Sequence, residues 1–396
     1  MAETYRTRTT QKIVSQNHRP MRNITELEFC YGCGVCAAAC PVSIISMAEN
    51  RDGFHEPRIE RQDLCTTCGM CIKVCSFCND SKTSVDPKPY AAWSVDDKDR
   101  DRASSGGVST ELMKAHLESY PDGGKIIGVR YDSDTRQALH YVFDKPEGIT
   151  RSMGSKYLPS LTETAFRAID WREKDSRWLI TGTPCQIASL RRLVDLKKAS
   201  DRFLLIDFFC HGVPSRLLWI RYLKDHPVIA ESDHIVWRDK ENGWHDSYAI
   251  SDYSPDGKKK YKSSWSEGDL FFTLFLGNTC LNRCCYETCR FKGFNSGADI
   301  RLGDFWGPKY SNDEKGVSIA IAMTAAGQHA IDSLSDKCII EPATEADVLA
   351  EQMTSPMPYP AMAHRISLGL LRAGAPLRSL DLIRRIFRHL PPINSK

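Results

Sequence analysis

The chain has 396 residues, with 53 Lys and Arg against 50 Asp and Glu and a formal net charge of +3. So small a surplus makes no electrostatic footprint for nucleic acid, and none is expected as a partner. The composition, 41% hydrophobic and 26% charged, is that of a soluble globular protein; no run of 18 apolar residues occurs and the start opens no apolar leader, so neither a membrane span nor secretion is expected.

Residues 1–22 are polar, basic and aperiodic and read as an N-terminal arm. Residues 23–80 carry two runs of cysteine. Cys30, Cys33, Cys36 and Cys40 form one, Cys65, Cys68, Cys71 and Cys75 the other, each spaced C-x2-C-x2-C-x3-C. This spacing wraps cubane [4Fe–4S] clusters in bacterial-type ferredoxins: three thiolates from one tight loop hold one cluster, and the fourth Cys of each run reaches the other. Cluster one is therefore assigned to Cys30, Cys33, Cys36 and Cys75, and cluster two to Cys65, Cys68, Cys71 and Cys40. Gly32, Gly34 and Gly69 suit loops that must expose N–H groups and adopt positive φ. Zinc would ask for separated pairs instead. Cluster ligands must stay reduced, which points to the cytoplasm despite 16 cysteines.

Asn79–Pro89 is polar with two prolines and reads as a linker. A helix is predicted over Ser104–Tyr120, ended by Pro121-Asp122-Gly123-Gly124, then a strand pair at Lys125–Tyr131 and Ala138–Asp144, and a helix at Thr162–Asp175. The next stretch alternates: strand Arg177–Thr181, helix Pro184–Leu196, strand Phe203–Phe209, helix Ser215–Asp225. Such βαβα order makes neighbouring parallel strands. Further strands are predicted at His234–Arg238, Tyr248–Tyr253, Ile300–Gly303 and Val317–Met323. The fold class is thus mixed α/β: a ferredoxin-like domain over 23–80, a larger mixed-sheet domain over 90–355, and a basic helical tail over 356–396.

Chemistry-bearing residues fall at the ends of these predicted strands. Cys185 follows Arg177–Thr181 and Cys210 ends Phe203–Phe209. In an open parallel sheet both thiols would face the ligand-binding edge. With two from the group Cys280, Cys284, Cys285 and Cys289 they could complete a third cluster; a zinc site and plain buried thiols are the alternatives. Ser104–Thr110 opens a helix, where N–H groups and hydroxyls suit either an N-cap or a phosphate. Lys156, between small residues and an aromatic, suits either an anionic cofactor or plain solvation, and His211 either a proton donor beside a cofactor or a satisfied structural histidine. No G-x-G-x-x-G follows a strand, so a Rossmann site has no support. Trp237, Arg238, Lys240 and Trp244 combine indoles with cations, which suits either a ring-stacking anionic substrate such as a sugar nucleotide or a charged surface hairpin. Near the C-terminus Arg378, Arg384, Arg385 and Arg388 flank Leu380, Ile383 and Phe387. That pattern is a docked helix with a solvated basic side, or one that touches anionic lipid or an acidic partner.

Taken in order, Ser105-Gly106-Gly107-Val108, Gly154-Ser155-Lys156-Tyr157, Gly182-Thr183-Pro184-Cys185-Gln186, Cys210-His211-Gly212-Val213-Pro214, Cys285 to Lys292 and Gly303-Asp304-Phe305-Trp306-Gly307 resemble the coenzyme F420 hydrogenase/dehydrogenase beta-subunit family. The resemblance implies FAD bound without a Rossmann fingerprint by Ser105, Gly106, Gly107, Val108, Gly154, Ser155, Lys156 and Tyr157. It also implies a third [4Fe–4S] cluster on Cys185, Cys210, Cys285 and Cys289. Cys285 and Cys289 are separated by three residues where the family has two, which leaves Cys284 in competition with Cys285. Details around Cys210 and Arg238 look most like bacterial members linked to polysaccharide biosynthesis. The implied function is an iron–sulfur flavoprotein oxidoreductase taking electrons from ferredoxin or another electron-transfer protein. In it Lys156 would stabilise reduced flavin, His211 would supply a proton, and an organic, sugar-linked substrate would be reduced. The rival reading is a non-catalytic electron-transfer subunit of a larger complex.

Overall fold

A computed structural model describes residues 21–80, 86–254 and 256–388. All but the end of the expected arm, residues 81–85 of the expected linker and the last residues of the tail lie outside the described residues. In the N-terminal part, helices Val35–Ala39 and Met70–Lys73 each start from a glycine in the left-handed region, Gly34 (φ +73) and Gly69 (φ +70). Strands β1 (Ile45–Glu49) and β2 (His55–Ile59) form an antiparallel hairpin between the two cysteine runs.

The larger part is built on a nine-stranded sheet. Its strands are β3 (Lys88–Ser94), β4 (Gly124–Asp132), β5 (Gln137–Phe143), β6 (Ser160–Leu161), β7 (Arg177–Thr181) and β8 (Phe203–Phe208). Then come β9 (Ile235–Val236), β10 (Ala249–Tyr253) and β11 (Lys259–Ser264), which make a separate sheet. The large sheet is completed by β12 (Ile300–Asp304), β13 (Ser318–Ala322) and β14 (Cys338–Pro342), in the spatial order β14-β3-β13-β12-β8-β7-β4-β5-β6. At its centre β12, β8, β7 and β4 run parallel.

Period-two alternation explains how the central strands are covered on both faces. Ile126, Leu179, Ile206 and Ile300 pack against helices Val108–Ser119 and Ala325–Asp332. Ile127, Trp178, Ile180 and Leu205 pack against helix Pro184–Leu196. That helix starts on a capping box between Thr183 and Gln186 with Pro184 at its first turn, so its start is sharp. The carboxyl ends of β7 and β8 therefore lie side by side, with Cys185 and Cys210 just beyond them.

The expected helix over Thr162–Asp175 is only Glu163–Arg167. Asp170 bonds the Arg172 N–H from its side chain, and Trp171 stacks on Phe203 at 5.4 Å, which diverts the chain from helical geometry. The strand expected over His234–Arg238 shortens to Ile235–Val236, because Asp239 caps a 3-10 turn at Lys240–Asn242. Strand β3 starts inside the expected linker, and the lysine-rich β11 and the short β14 were not expected. Beside the smaller sheet, helices Arg216–Asp225, Leu270–Leu276, Ala361–Arg372 and Leu377–Arg388 bury Leu218, Phe271, Leu371 and Leu380 together. The last helix is thus docked, with Arg378 and Arg385 exposed. Among the described residues no helix is long and apolar enough to cross a membrane.

Candidate redox site

Two groups of thiols form in the N-terminal part. Cys40, Cys65, Cys68 and Cys71 line one small cavity together with Gly69, although Cys40 belongs to the first cysteine run. Cys68 is exposed there. Cys30, Cys33, Cys36 and Cys75 make the other group: burial, then the charges of their fellow thiols, push Cys30 and Cys36 well up and Cys33 up to about 11. Cys75 is raised first by a hydrogen bond with Cys78 and then by burial. Cys78 is a ninth thiol in this part, and its place against Cys75 was not anticipated. Cys40 and Cys75 thus each stand with thiols of the other run.

A third group sits at the sheet edge. Cys185 follows β7 in the first turn of its helix, and Cys210 follows β8. The loop around Cys285 and Cys289 is tied to the end of β8 by an isolated bridge between Pro214 and Leu281, by Asn282 N–H to the Val213 carbonyl (2.7 Å), and by Val213 N–H to Cys285 Sγ (3.3 Å). Burial pushes all of Cys185, Cys210 and Cys285 up, Cys210 to about 11. Cys210 and Cys285 raise Cys185 further, and Cys210 and Cys289 do the same to Cys285. Cys284 instead feels Cys30 most among its charged neighbours, and Cys280 stands alone in apolar core. The structure therefore sets Cys285 rather than Cys284 beside Cys210. A single zinc ion would draw its thiolates to roughly 3.8 Å from one another. Among the described residues no three His, Cys, Asp or Glu side chains are grouped as a single ion requires.

The second and third thiol groups meet across one seam. Cys33 Sγ lies 3.4 Å from Ser189 Oγ, which accepts the Ser76 N–H at 3.1 Å, and Ser76 Oγ donates to the Cys185 carbonyl at 3.3 Å. Tyr31 packs edge-on to both Phe77 and Phe291, at 5.3 and 5.7 Å, and donates its hydroxyl to the Thr288 carbonyl. Cys75, Cys185 and Cys289 all pack against this one apolar cluster.

On the far side of Cys210 opens a crevice of about 350 Å³. Of the residues expected around FAD, Ser105, Gly107, Val108, Gly154, Ser155, Lys156 and Tyr157 line it. Gly106 does not: a Cβ there would meet the Ala92 carbonyl at 2.5 Å and the Ser318 nitrogen at 2.8 Å, so its small size serves close packing on the sheet. Gly107 starts the helix in the left-handed region, φ +89. Lys156 also differs from expectation. Its Nζ lies within 3.3 Å of the carbonyls of Arg151, Ser152, Met153 and Gly154, so its ammonium closes the end of helix Pro146–Ser152. Burial pushes it down to about 7. His211 lines the crevice with its ring 4.9 Å from Phe275; burial, and then Lys292, push it down to about 4.

Neither reading of the Trp237–Trp244 segment survives. Trp237 and Trp244 are fully buried, so they neither stack on a ligand nor sit on a surface hairpin. Arg238 is buried between Tyr248 (4.4 Å) and Trp306 (5.2 Å) and donates to Asp304 (2.9 Å), the Tyr157 hydroxyl (3.2 Å) and Ser247 (2.9 Å). Lys240 Nζ ties three carbonyls, those of Arg100, Ser105 and Lys315, each at 2.7 Å. These cations hold the crevice wall from behind. Asp304 and His140 are crevice residues that the sequence reading did not assign. Asp304 stands in a quoted motif and could have been found there; a histidine in a strand such as β5 carries no such signal.

The N-terminal and C-terminal domains described as coenzyme F420 hydrogenase/dehydrogenase beta subunit match residues 89–167 and 175–347. The chain belongs to the coenzyme F420 hydrogenase/dehydrogenase beta-subunit family. A 4Fe-4S dicluster domain matches residues 29–78, so this beta-subunit family member carries two [4Fe–4S] clusters in its N-terminal part. It is similar to the coenzyme F420-dependent sulfite reductase of Methanocaldococcus jannaschii, 25% identical over 211 residues, which are 51% of this chain and 31% of that protein. An uncharacterized protein of the same organism is 28% identical over 210 residues, 45% of this chain and 55% of that protein. The chain thus spans about a third and about half of these two curated relatives. Among solved structures, a chain of the F420-reducing [NiFe] hydrogenase complex from Methanosarcina barkeri aligns with TM-score 0.46 at 17% identity, covering 76% of this chain and 90% of that one.

Proposed function

We propose that this chain is an iron–sulfur flavoprotein oxidoreductase in which electrons pass from the N-terminal clusters to a third cluster and on to FAD in the crevice. One observation carries the reading: thiols and loops from six separate sequence motifs converge on one sheet edge, thiols toward the ferredoxin-like part and loops around a single crevice. Cluster one falls to Cys30, Cys33, Cys36 and Cys75, cluster two to Cys40, Cys65, Cys68 and Cys71, and cluster three to Cys185, Cys210, Cys285 and Cys289.

The crevice suits the flavin. Its volume lies in the range of cofactor sites. A Cβ on Gly154 would meet nothing within 4 Å, so the Gly154–Tyr157 turn faces open space. The first turn of helix Val108–Ser119 brings N–H groups that a helix cannot pair itself, as a phosphate requires. Two imidazole nitrogens of crevice residues, His140 Nδ1 and His211 Nε2, are buried without a partner. When bound, FAD supplies the exchange between one-electron and two-electron chemistry. The chain's own residues do the rest. Tyr157 and Phe275, 5.3 Å apart, close one wall against water, and Arg238 with Asp304 fixes the Tyr157 hydroxyl. Lys292 and Arg301 place positive charge beside Cys210, which favours the reduced state of a cluster held there.

The exposed Cys68 thiol marks cluster two as the entry point from ferredoxin or another one-electron carrier. An organic substrate takes the electron pair at the crevice. A sugar-linked substrate loses the support of the buried indoles. Protein prepared without oxygen should hold about twelve irons and one FAD per chain. About eight irons, unchanged by Cys185→Ala, would remove the third cluster. Copurification with a catalytic partner, with no substrate turned over by the isolated chain, would establish the relay-subunit reading instead.

A further inference from the structure

The floor of the crevice is made by β5, β4 and β7: His140 pairs with Val129, and Thr181 follows the last β4–β7 pair, Ile127 with Ile180. His140 Nε2 is 3.2 Å from the Thr181 carbonyl oxygen. A carbonyl only accepts, so Nε2 carries the proton and Nδ1 holds a lone pair. Nδ1 has no hydrogen-bond partner, and the side chain is 4% exposed. Phe166 lies 5.6 Å from the ring, and burial keeps the imidazole neutral, its pKa pushed down to about 4. The neighbouring polar groups of the floor are already committed: Gln186 donates to Ser160 Oγ at 3.1 Å and accepts the Thr183 N–H at 2.9 Å. Buried acceptors are rarely left unpaired in folded proteins.

We infer that His140 is a recognition residue of the crevice, its Nδ1 accepting a hydrogen bond from an N–H or O–H donor of the bound ligand. The inference rests on the flavin reading of the crevice and adds a chemical requirement to it. The ligand must present a donor at the floor, and a group with only lone pairs there is rejected. An isoalloxazine imide N–H and a ribityl hydroxyl both meet the requirement.

The test uses the full chain with its clusters filled, titrated anaerobically with FAD and followed by flavin fluorescence. Asn places an acceptor where Nδ1 stands, and Gln places a donor where Nε2 stands. His140→Gln keeps the Thr181 contact and loses the acceptor, so FAD should bind ~10-fold to 100-fold more weakly with iron content and unfolding midpoint unchanged. His140→Asn should bind within about threefold of the natural protein. FAD carrying a methyl group on its imide nitrogen separates the two donor sources. If it weakens binding to the natural protein and adds nothing in His140→Gln, the imide is the donor; if it binds normally while His140→Gln stays weak, a hydroxyl is. Equal FAD affinity in His140→Gln and the natural protein overturns the inference, as does an equal loss in both variants, which would mean packing alone. A natural protein that fills its clusters yet takes up no FAD fails at the earlier step, and the flavin reading falls with the inference.

Discussion

Arg301→Met tests whether the third thiol group depends on one buried ion pair. Arg301 and Asp207 are both wholly buried and joined by two parallel bonds, at 2.8 and 2.7 Å. Arg301 also donates to the Gly293 and Phe291 carbonyls, at 2.5 and 3.4 Å, and Ser296 donates to Asp207 at 2.7 Å. Asp207 lies on β8 three residues before Cys210, and Phe291 follows Cys289 by two. The pair therefore pins the Cys289 loop to the strand that presents Cys210. Methionine fills similar volume but leaves the Asp207 carboxylate buried with Ser296 alone. Breaking one partner of such a pair costs about 3–5 kcal/mol. With a urea dependence of about 3 kcal/mol per molar, the unfolding midpoint should fall by about 1 M or more. Iron should fall from about twelve to about eight per chain, since the dicluster part contains neither residue. Urea unfolding followed by tyrosine and tryptophan fluorescence, with iron analysis on the same samples, reads both. A variant that keeps about twelve irons, or unfolds within about 0.3 M of the natural protein, would refute the reasoning. Replacing both partners, Asp207→Leu with Arg301→Met, should recover much of the stability, because no charge is then left buried.

Ser189→Ala should remove the contact to Cys33 and leave the Ser76 N–H unpaired, at about 1–2 kcal/mol; spectroelectrochemical titration should show the cluster held by Cys33 shifting to a lower potential. His140 gives stability a pH slope. Its folded pKa, pushed down to about 4, lies below the usual 6.5, so the unfolded chain binds the proton first as pH falls and stability present above 6.5 is lost toward 4. At pH 5 the loss should be about 2 kcal/mol, absent from His140→Gln, in urea titrations at pH 7 and pH 5. Gly107→Ala should lower stability by about 1–2 kcal/mol, because φ is +89 and the added Cβ lies 3.3 Å from that of Ser94. It should also weaken FAD binding without loss of iron; full FAD occupancy would place the phosphate cradle elsewhere.

The features legible in the sequence were those whose chemistry is local. The cysteine spacing specifies loops that wrap clusters, and the dicluster match agrees with it. Strand β7, its helix and strand β8 carry strong hydrophobic periodicity and a capping box, so their bounds were readable almost to the residue. The antiparallel pair β4–β5 was readable for the same reason.

Tertiary structure decided what depends on distant neighbours. Sequence spacing alone left Cys284 and Cys285 in competition, and only the fold turns Cys285 toward Cys210 and Cys284 toward Cys30. The Trp237–Trp244 segment has the composition of a ligand site, yet helix residues bury Trp237, the strands β3 and β13 with Trp306 bury Trp244, and Arg238 is spent on Asp304. Lys156 reads as a free cation until four carbonyls from its own turn surround it. Strand β3 was hidden because its pairing partners, β13 and β14, lie more than 200 residues further along the chain. His140 is set by a carbonyl on β7, two strands away, which fixes its proton on one nitrogen and leaves the other without a hydrogen-bond partner. Local pattern reports what a residue can do; which of those capacities remains unspent is set by the groups that folding brings beside it.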